Sequence, residues 1–206
     1  MADNKTNKNQ RKILATAEEE FLMKGFAGAR TAEIAQGAGV THAMLHYYFN
    51  SKEQLFEQVM NEKFLQLREM VAMVSASEEL PVVERIVEVM VRNFDFLRRN
   101  PDLPRFIINE VIAQPEYIGR MKNDLFPALK ATVARLQHDL DAAAAKGEAQ
   151  RVDAATLLMD MLSMNCFPFM IAPIVATANP GMDFQAFFDA RIRENVQIVL
   201  NRICPA

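Results

Sequence analysis

The chain has little of several things, and each scarcity narrows the field. It has only two cysteines, Cys166 and Cys204, with no CxxC pair. That excludes a disulfide framework and fits a reducing compartment. No long uninterrupted apolar run is present. The most apolar stretch, Met159 to Ala176, is broken by Asp160, Asn165, Pro168 and Pro173, whereas a membrane span needs about 20 nearly continuous apolar residues. The first residues, MADNKTNKNQRK, contain no apolar segment of the kind that directs export. Together these absences predict a soluble, cytoplasmic protein with no membrane partner. There is no GxSxG, no HExxH and no Glu-x-x-His of a di-iron bundle, so no catalytic constellation forms and an enzyme is not expected.

Charge of one sign is also scarce. The formal net charge is −3. Residues 1–75 hold nine Lys/Arg against nine Asp/Glu, and residues 76–206 hold fourteen against seventeen. Within the first segment Lys5, Lys8, Arg11 and Lys12 face only Asp3, a small basic arm. Charge alone would not hold a polyanion, but a few well-placed cations suffice for a compact phosphate-contact surface.

What is present is helical periodicity, with no alternating strand pattern. Ile13, Ala17 and Phe21 recur every four residues, and Gly25 supplies a helix stop. Thr31 can cap a short helix carrying Ile34, Ala35 and Ala38. Gly39 breaks it, and Thr41 can cap a second short helix carrying Leu45 and Phe49. Asn50 and Ser51, with Glu53 and Gln54 three positions on, fit capping boxes at the head of a long amphipathic helix with Phe56, Met60, Phe64, Leu67, Val71 and Val74 on one face. Beyond a break at 75–81, further helices are expected at about 81–99, 125–146, 152–175 and 183–203, with Pro168 and Pro173 kinking or shortening the third. The fold class is all-α. A three-helix N-terminal unit over 1–50, with the start of the linking helix to about 55, is followed by a helical body over 51–206.

The stretch Thr31–Phe49, TAEIAQGAGVTHAMLHYYF, has the spacing of a helix-turn-helix. Two helices crossing steeply over a short turn need a small residue at the crossing (Ala35), a glycine in the turn (Gly39) and apolar residues between (Ile34, Ala38, Val40, Leu45). Burying that set leaves the outer face of 41–48 free for a DNA major groove. Gly37-Ala-Gly39 is not a nucleotide loop, since no strand precedes it. His42 and His46 have a zinc-compatible i, i+4 spacing, but no third ligand lies near, and no metal is expected.

Thr31-Ala-Glu-Ile-Ala, Ala38-Gly-Val-Thr, Leu45-His-Tyr-Tyr-Phe and Ser51-Lys-Glu-Gln-Leu resemble the N-terminal signature of TetR-family transcriptional regulators. The resemblance covers about residues 11–60. It implies an N-terminal domain that binds a palindromic double-stranded operator, and a body that dimerises and takes a small-molecule effector. Effector binding would alter the spacing of the two DNA heads, most simply releasing a repressor. Position by position it implies phosphate contacts by Thr31, Thr41 and Lys52, base-facing positions at His42 and Met44, and a tiny residue, Ala43, that lets the helix enter the groove. His46, Tyr47 and Tyr48 form a trio contacting phosphates and sometimes bases.

No cofactor is expected beyond an unidentified effector, a small apolar or amphipathic ligand. In the Met/Phe-rich body, polar residues embedded in apolar runs are the best pocket candidates, because a buried polar group needs a partner. They are Asn109 and Glu110 beside Phe106, and Asn165 between Met164 and Phe167. The last two long helices carry wide apolar faces suited to a four-helix homodimer interface.

Overall fold

The computed structural model describes residues 2–75, 80–112 and 114–205, with side chains from residue 8 onward except 70, 71, 73–75 and 124. Among the described residues every regular element is helical. These are α1 (Ala2–Gly28), α2 (Thr31–Gly37), α3 (His42–Phe49), α4 (Lys52–Ser75), α5 (Val82–Arg99), α6 (Leu103–Phe106), a π-helical segment (Ile107–Ile112), α7 (Pro115–Asp124), α8 (Phe126–Ala145), α9 (Ala154–Ala178) and α10 (Phe184–Ile203). The basic arm is thus the first turns of α1. Lys8, Arg11 and Lys12 are exposed there, while the side chain of Lys5 lies outside the described ones.

The chain divides into two compact units, one comprising Met1–Leu67 with Arg105–Tyr117, the other Arg68–Pro104 with Ile118–Ala206. The first turns of α4 belong to the first unit because Leu55, Phe56, Val59 and Met60 are buried. They complete a core that also contains Ile13, Ala17 and Phe21 of α1, Ile34 and Ala35 of α2, and Leu45 and Phe49 of α3. Phe21 meets Phe56 edge-on at 4.9 Å between ring centroids, and Phe56 also contacts Phe106 at 6.0 Å and Tyr117 at 6.2 Å. The Tyr117 hydroxyl donates to Glu57 Oε1 at 2.7 Å. The segment 105–117, distant in sequence, is therefore built into this unit.

Gly25 does not end α1. It kinks it, at φ 68° and ψ 175°, a backbone region essentially confined to glycine. On α4, Lys63 is 1% exposed and ion-paired with Glu18 of α1, with Gln66 Oε1 accepting a second bond at 3.1 Å.

The second unit packs α5, α8, α9 and α10 around Ile86, Met90, Leu136, Leu140, Leu157, Met161, Val199 and Ile203. A smaller aromatic cluster joins Phe94, Phe169 and Phe188, the last two stacked at 4.5 Å. Among the described residues, ion pairs that cross between helices include Arg85–Asp139, Arg98–Asp189 at 2.6 Å, and Arg202–Asp160.

Pro168 and Pro173 neither shorten nor split α9, which runs 25 residues through both. Proline deprives the carbonyl four residues back of its donor. For Pro168 that carbonyl is Met164's, and Asn195 Nδ2 of α10 donates to it at 3.2 Å. A side chain from a neighbouring helix thus replaces the missing bond. By length and composition α9 could cross a membrane, yet its Asp160 is paired with Arg202 and its buried Asn165 is bonded to α5 and α10.

Candidate nucleic-acid interface

The turn between α2 and α3 is closed by backbone bonds. Gly39 N–H donates to Gln36 O at 3.1 Å and Val40 N–H to Ala35 O at 3.0 Å, the pairing that ends a helix when the residue after the cap is left-handed. Gly39, at φ 67°, supplies that residue without strain. α3 then starts from Thr41, whose hydroxyl accepts from Met44 N–H at 3.2 Å. Its hydrogen stays free for an outside acceptor. α3 buries Leu45 and Phe49 completely or nearly so, while Thr41, His42, Ala43, His46 and Tyr47 are exposed. Tyr47 is 78% exposed, a large aromatic on the open side of the helix, with Tyr48 half-buried at 5.3 Å from it. Met44 is also half-buried.

Thr31 behaves differently from expectation. The residue before α2 is Arg30 and makes no side-chain cap; Thr31 is the first helical residue. Its hydroxyl lies 2.9 Å from His42 Nε2, linking the starts of the two helices. The rings of His42 and His46 meet at 4.5 Å and 75°, and His46 Nδ1 lies 3.0 Å from Asn50 O. At the head of α4 the Ser51 hydroxyl accepts from Gln54 N–H at 3.2 Å, one half of the expected capping box, while Gln54 Oε1 accepts from Asn50 Nδ2 at 3.2 Å.

Charge on this face is sparse and locally tied. Lys24 Nζ reaches Glu20 at 2.5 Å and Glu33 at 2.8 Å. Its hydrogen bonds to the two carboxylates raise its pKa, and the same Lys24 bond lowers that of Glu33. The Glu53 carboxyl is held low by its own backbone N–H and by Ser51, a negative charge suited to a helix start. Lys52 lies over the Phe26 ring, 4.6 Å from its centroid. The ring thereby steers the side chain while the ammonium keeps its charge.

All nine residues expected to contact DNA thus fall in the first unit. The six expected to contact an effector are split. Phe106, Asn109 and Glu110 belong to the first unit, and Met164, Asn165 and Phe167 to the second. Phe106 is core, Asn109 is exposed, and Glu110 lies against Gly25. Asn165 is 1% exposed and fully engaged: Nδ2 donates to Met90 O at 3.0 Å and to Asn93 Oδ1 at 2.8 Å, and Oδ1 accepts from Asn195 Nδ2 at 3.1 Å. Phe167 is 58% exposed. An open cleft of 670 Å³ in the second unit is lined by Pro81, Arg85, Arg135, Asp139, Lys146 and neighbours, and none of the six lines it. Nothing in its mixed-charge lining stood out in the sequence, because it gathers residues from the head of α5 and the end of α8.

Among known proteins, the family described as bacterial regulatory proteins of the tetR family matches over residues 13–59. The chain is similar to the uncharacterized HTH-type transcriptional regulator YdgC of Bacillus subtilis, 28% identical over 127 residues, 59% of this chain and 62% of that one. It is also similar to the HTH-type transcriptional repressor NicS of Pseudomonas putida, 27% identical over 135 residues, 66% of this chain and 63% of that one. The chain therefore spans less than two thirds of the length of these curated relatives. In fold, it resembles the crystal structure of a TetR transcriptional regulator from Chloroflexus aurantiacus, with a TM-score of 0.68 at 20% identity over 98% of this chain and 100% of the other.

Proposed function

We propose that the chain, whose residues 13–59 match the tetR family of bacterial regulatory proteins, is a cytoplasmic transcriptional repressor that grips a palindromic operator as a homodimer and is released by a small apolar or amphipathic effector. The observation that carries the reading is the two-sidedness of α3. Leu45 and Phe49 lock one face into the core, and the opposite face holds Thr41, His42, Ala43, His46 and Tyr47 in the open. A rigid helix with small and polar residues outward suits a major groove. Thr31, Thr41 and Lys52 flank it as phosphate donors, with Met44 and Tyr48 at its margin.

Dimerisation is supported by α9 and α10, which leave Met159, Leu162, Phe167, Ile174 and Ile198 between 41 and 70% exposed. Such a run of large apolar side chains marks an interaction surface. Effector binding is assigned to the second unit by analogy with the family.

The deciding experiment is a mobility shift of the full chain with the DNA flanking its own gene, at several salt concentrations. Binding that falls steeply with salt is expected; no shift at low salt overturns the reading. Leu162→Arg should convert a sedimenting dimer to monomer, and a wild-type monomer at micromolar concentration overturns the dimer. Deleting the gene should raise transcription from the bound promoter.

A further inference from the structure

Resting on the DNA-binding reading above, we propose that His42 and His46 read the operator as hydrogen-bond acceptors toward exocyclic amino groups, each ring held in that tautomer by a protein oxygen. His46 is the simpler case. Its Nδ1 lies 3.0 Å from the backbone carbonyl of Asn50. A carbonyl only accepts, so Nδ1 carries the hydrogen, and a neutral imidazole then has a bare Nε2. The carbonyl is well placed to do this. Asn50 sits at φ 52°, its N–H donates back to His46 O at 2.8 Å, and its side chain donates to Gln54 Oε1 at 3.2 Å.

His42 is set through Thr31. The 2.9 Å contact joins His42 Nε2 to a hydroxyl that owns one hydrogen. That hydroxyl caps no helix. When its hydrogen goes to a DNA phosphate, its oxygen can only accept, so Nε2 must carry the ring hydrogen and Nδ1 is left bare. The phosphate contact at Thr31 thereby decides what His42 offers to a base. Both rings are exposed and adjacent, 4.5 Å apart. A bare ring nitrogen matches adenine N6 or cytosine N4 in the major groove, and is repelled by guanine N7 and O6 and by thymine O4.

Single-atom changes in a bound operator duplex test this, with the full chain at pH 8. Purine in place of adenine, or pyrimidin-2-one in place of cytosine, removes one amino group; 7-deaza bases remove N7 instead. One amino deletion beneath each histidine should weaken wild-type binding about three- to tenfold. The same deletion should have no further effect in His42→Ala or His46→Ala respectively, and 7-deaza bases should be silent at both positions. Thr31→Val should shrink the deletion effect at the His42 position alone, and Thr31→Ser should restore it. Histidine-dependent affinity lost on N7 removal overturns the inference, as does a Thr31→Val variant with both positions unchanged. A duplex bound without dependence on either histidine overturns this inference while sparing the regulator reading. Failure of the wild-type chain to bind any duplex overturns both.

Discussion

The carboxylate of Glu110, in the π-helical segment, occupies the place that the first side-chain carbon of any larger residue at Gly25 would take. Two demands therefore fall on one position: a backbone at φ 68° and ψ 175°, and an empty side for Glu110. Gly25→Ala should destabilise the chain by about 1–3 kcal/mol from backbone strain, with the contact adding to it. Urea unfolding of Gly25→Ala and of Gly25→Ala/Glu110→Ala separates the two. The double variant should recover the contact's share only.

Lys63 joins α4 to α1 through Glu18 at almost complete burial. Removing one partner of a buried pair costs about 3–5 kcal/mol, whereas replacing both with apolar groups is often neutral. Glu18 keeps some solvent, with its side chain 24% exposed, so Lys63→Ala should fall toward the lower end. Lys63→Met/Glu18→Leu should be closer to wild type in thermal denaturation. A single variant as stable as wild type would show that the pair contributes nothing.

Asn165 ties three helices together with one amide. In Asn165→Ala, the Asn195 and Asn93 side chains each lose a partner inside the second unit. Asn195 Nδ2 keeps the Met164 carbonyl, so the cost falls mainly on Asn93, and a loss of about 1–3 kcal/mol is expected by calorimetry or denaturant melts. The proposed DNA-contacting residues lie in the other unit, so DNA binding should be unaffected in the folded fraction.

Burial alone would push the Asp139 carboxyl up, but hydrogen bonds from Arg85 and His138, and their charges, hold it below its ordinary 3.8. A carboxyl lowered by folding stabilises the native state above its unfolded value and loses that contribution as pH falls through its folded value. Asp139→Asn should therefore be less stable than wild type near neutrality. The gap should close as pH drops below 3.8. A gap that persists unchanged in acid would exclude ionic pairing with Arg85 as its source.

At the proposed interface, Lys52 stands over Phe26 with its ammonium available. Lys52→Gln should weaken all duplexes alike and, with one Lys52 lost from each protomer of the dimer, reduce the salt slope of binding by about 2. Fluorescence anisotropy across a salt series reads both. A change confined to one operator sequence would instead assign Lys52 to base reading.

Features resting on close neighbours in sequence were legible from the residues themselves. Periodicity located the long helices to within about three residues. Thr41 and Ser51 cap where their spacing said they would, and Gly39 makes the turn. Such signals work because a cap or a left-handed turn is decided within about four residues of chain. Thr31, Gly25 and Pro168 show where that reach ends. The Thr31 hydroxyl pairs with His42 Nε2 instead of capping, Gly25 bends a helix instead of ending it, and Pro168 stays inside α9 because Asn195 supplies a donor from α10. Asn165 was legible as a buried polar group needing a partner, but that its partners are Met90, Asn93 and Asn195 depended on packing. The sequence by itself thus determined the all-α class, the helix-turn-helix and the residues along its open face. Tertiary structure alone decided which polar groups satisfy one another, because a hydrogen bond reaches about 3 Å in space and its partner can stand anywhere along the chain.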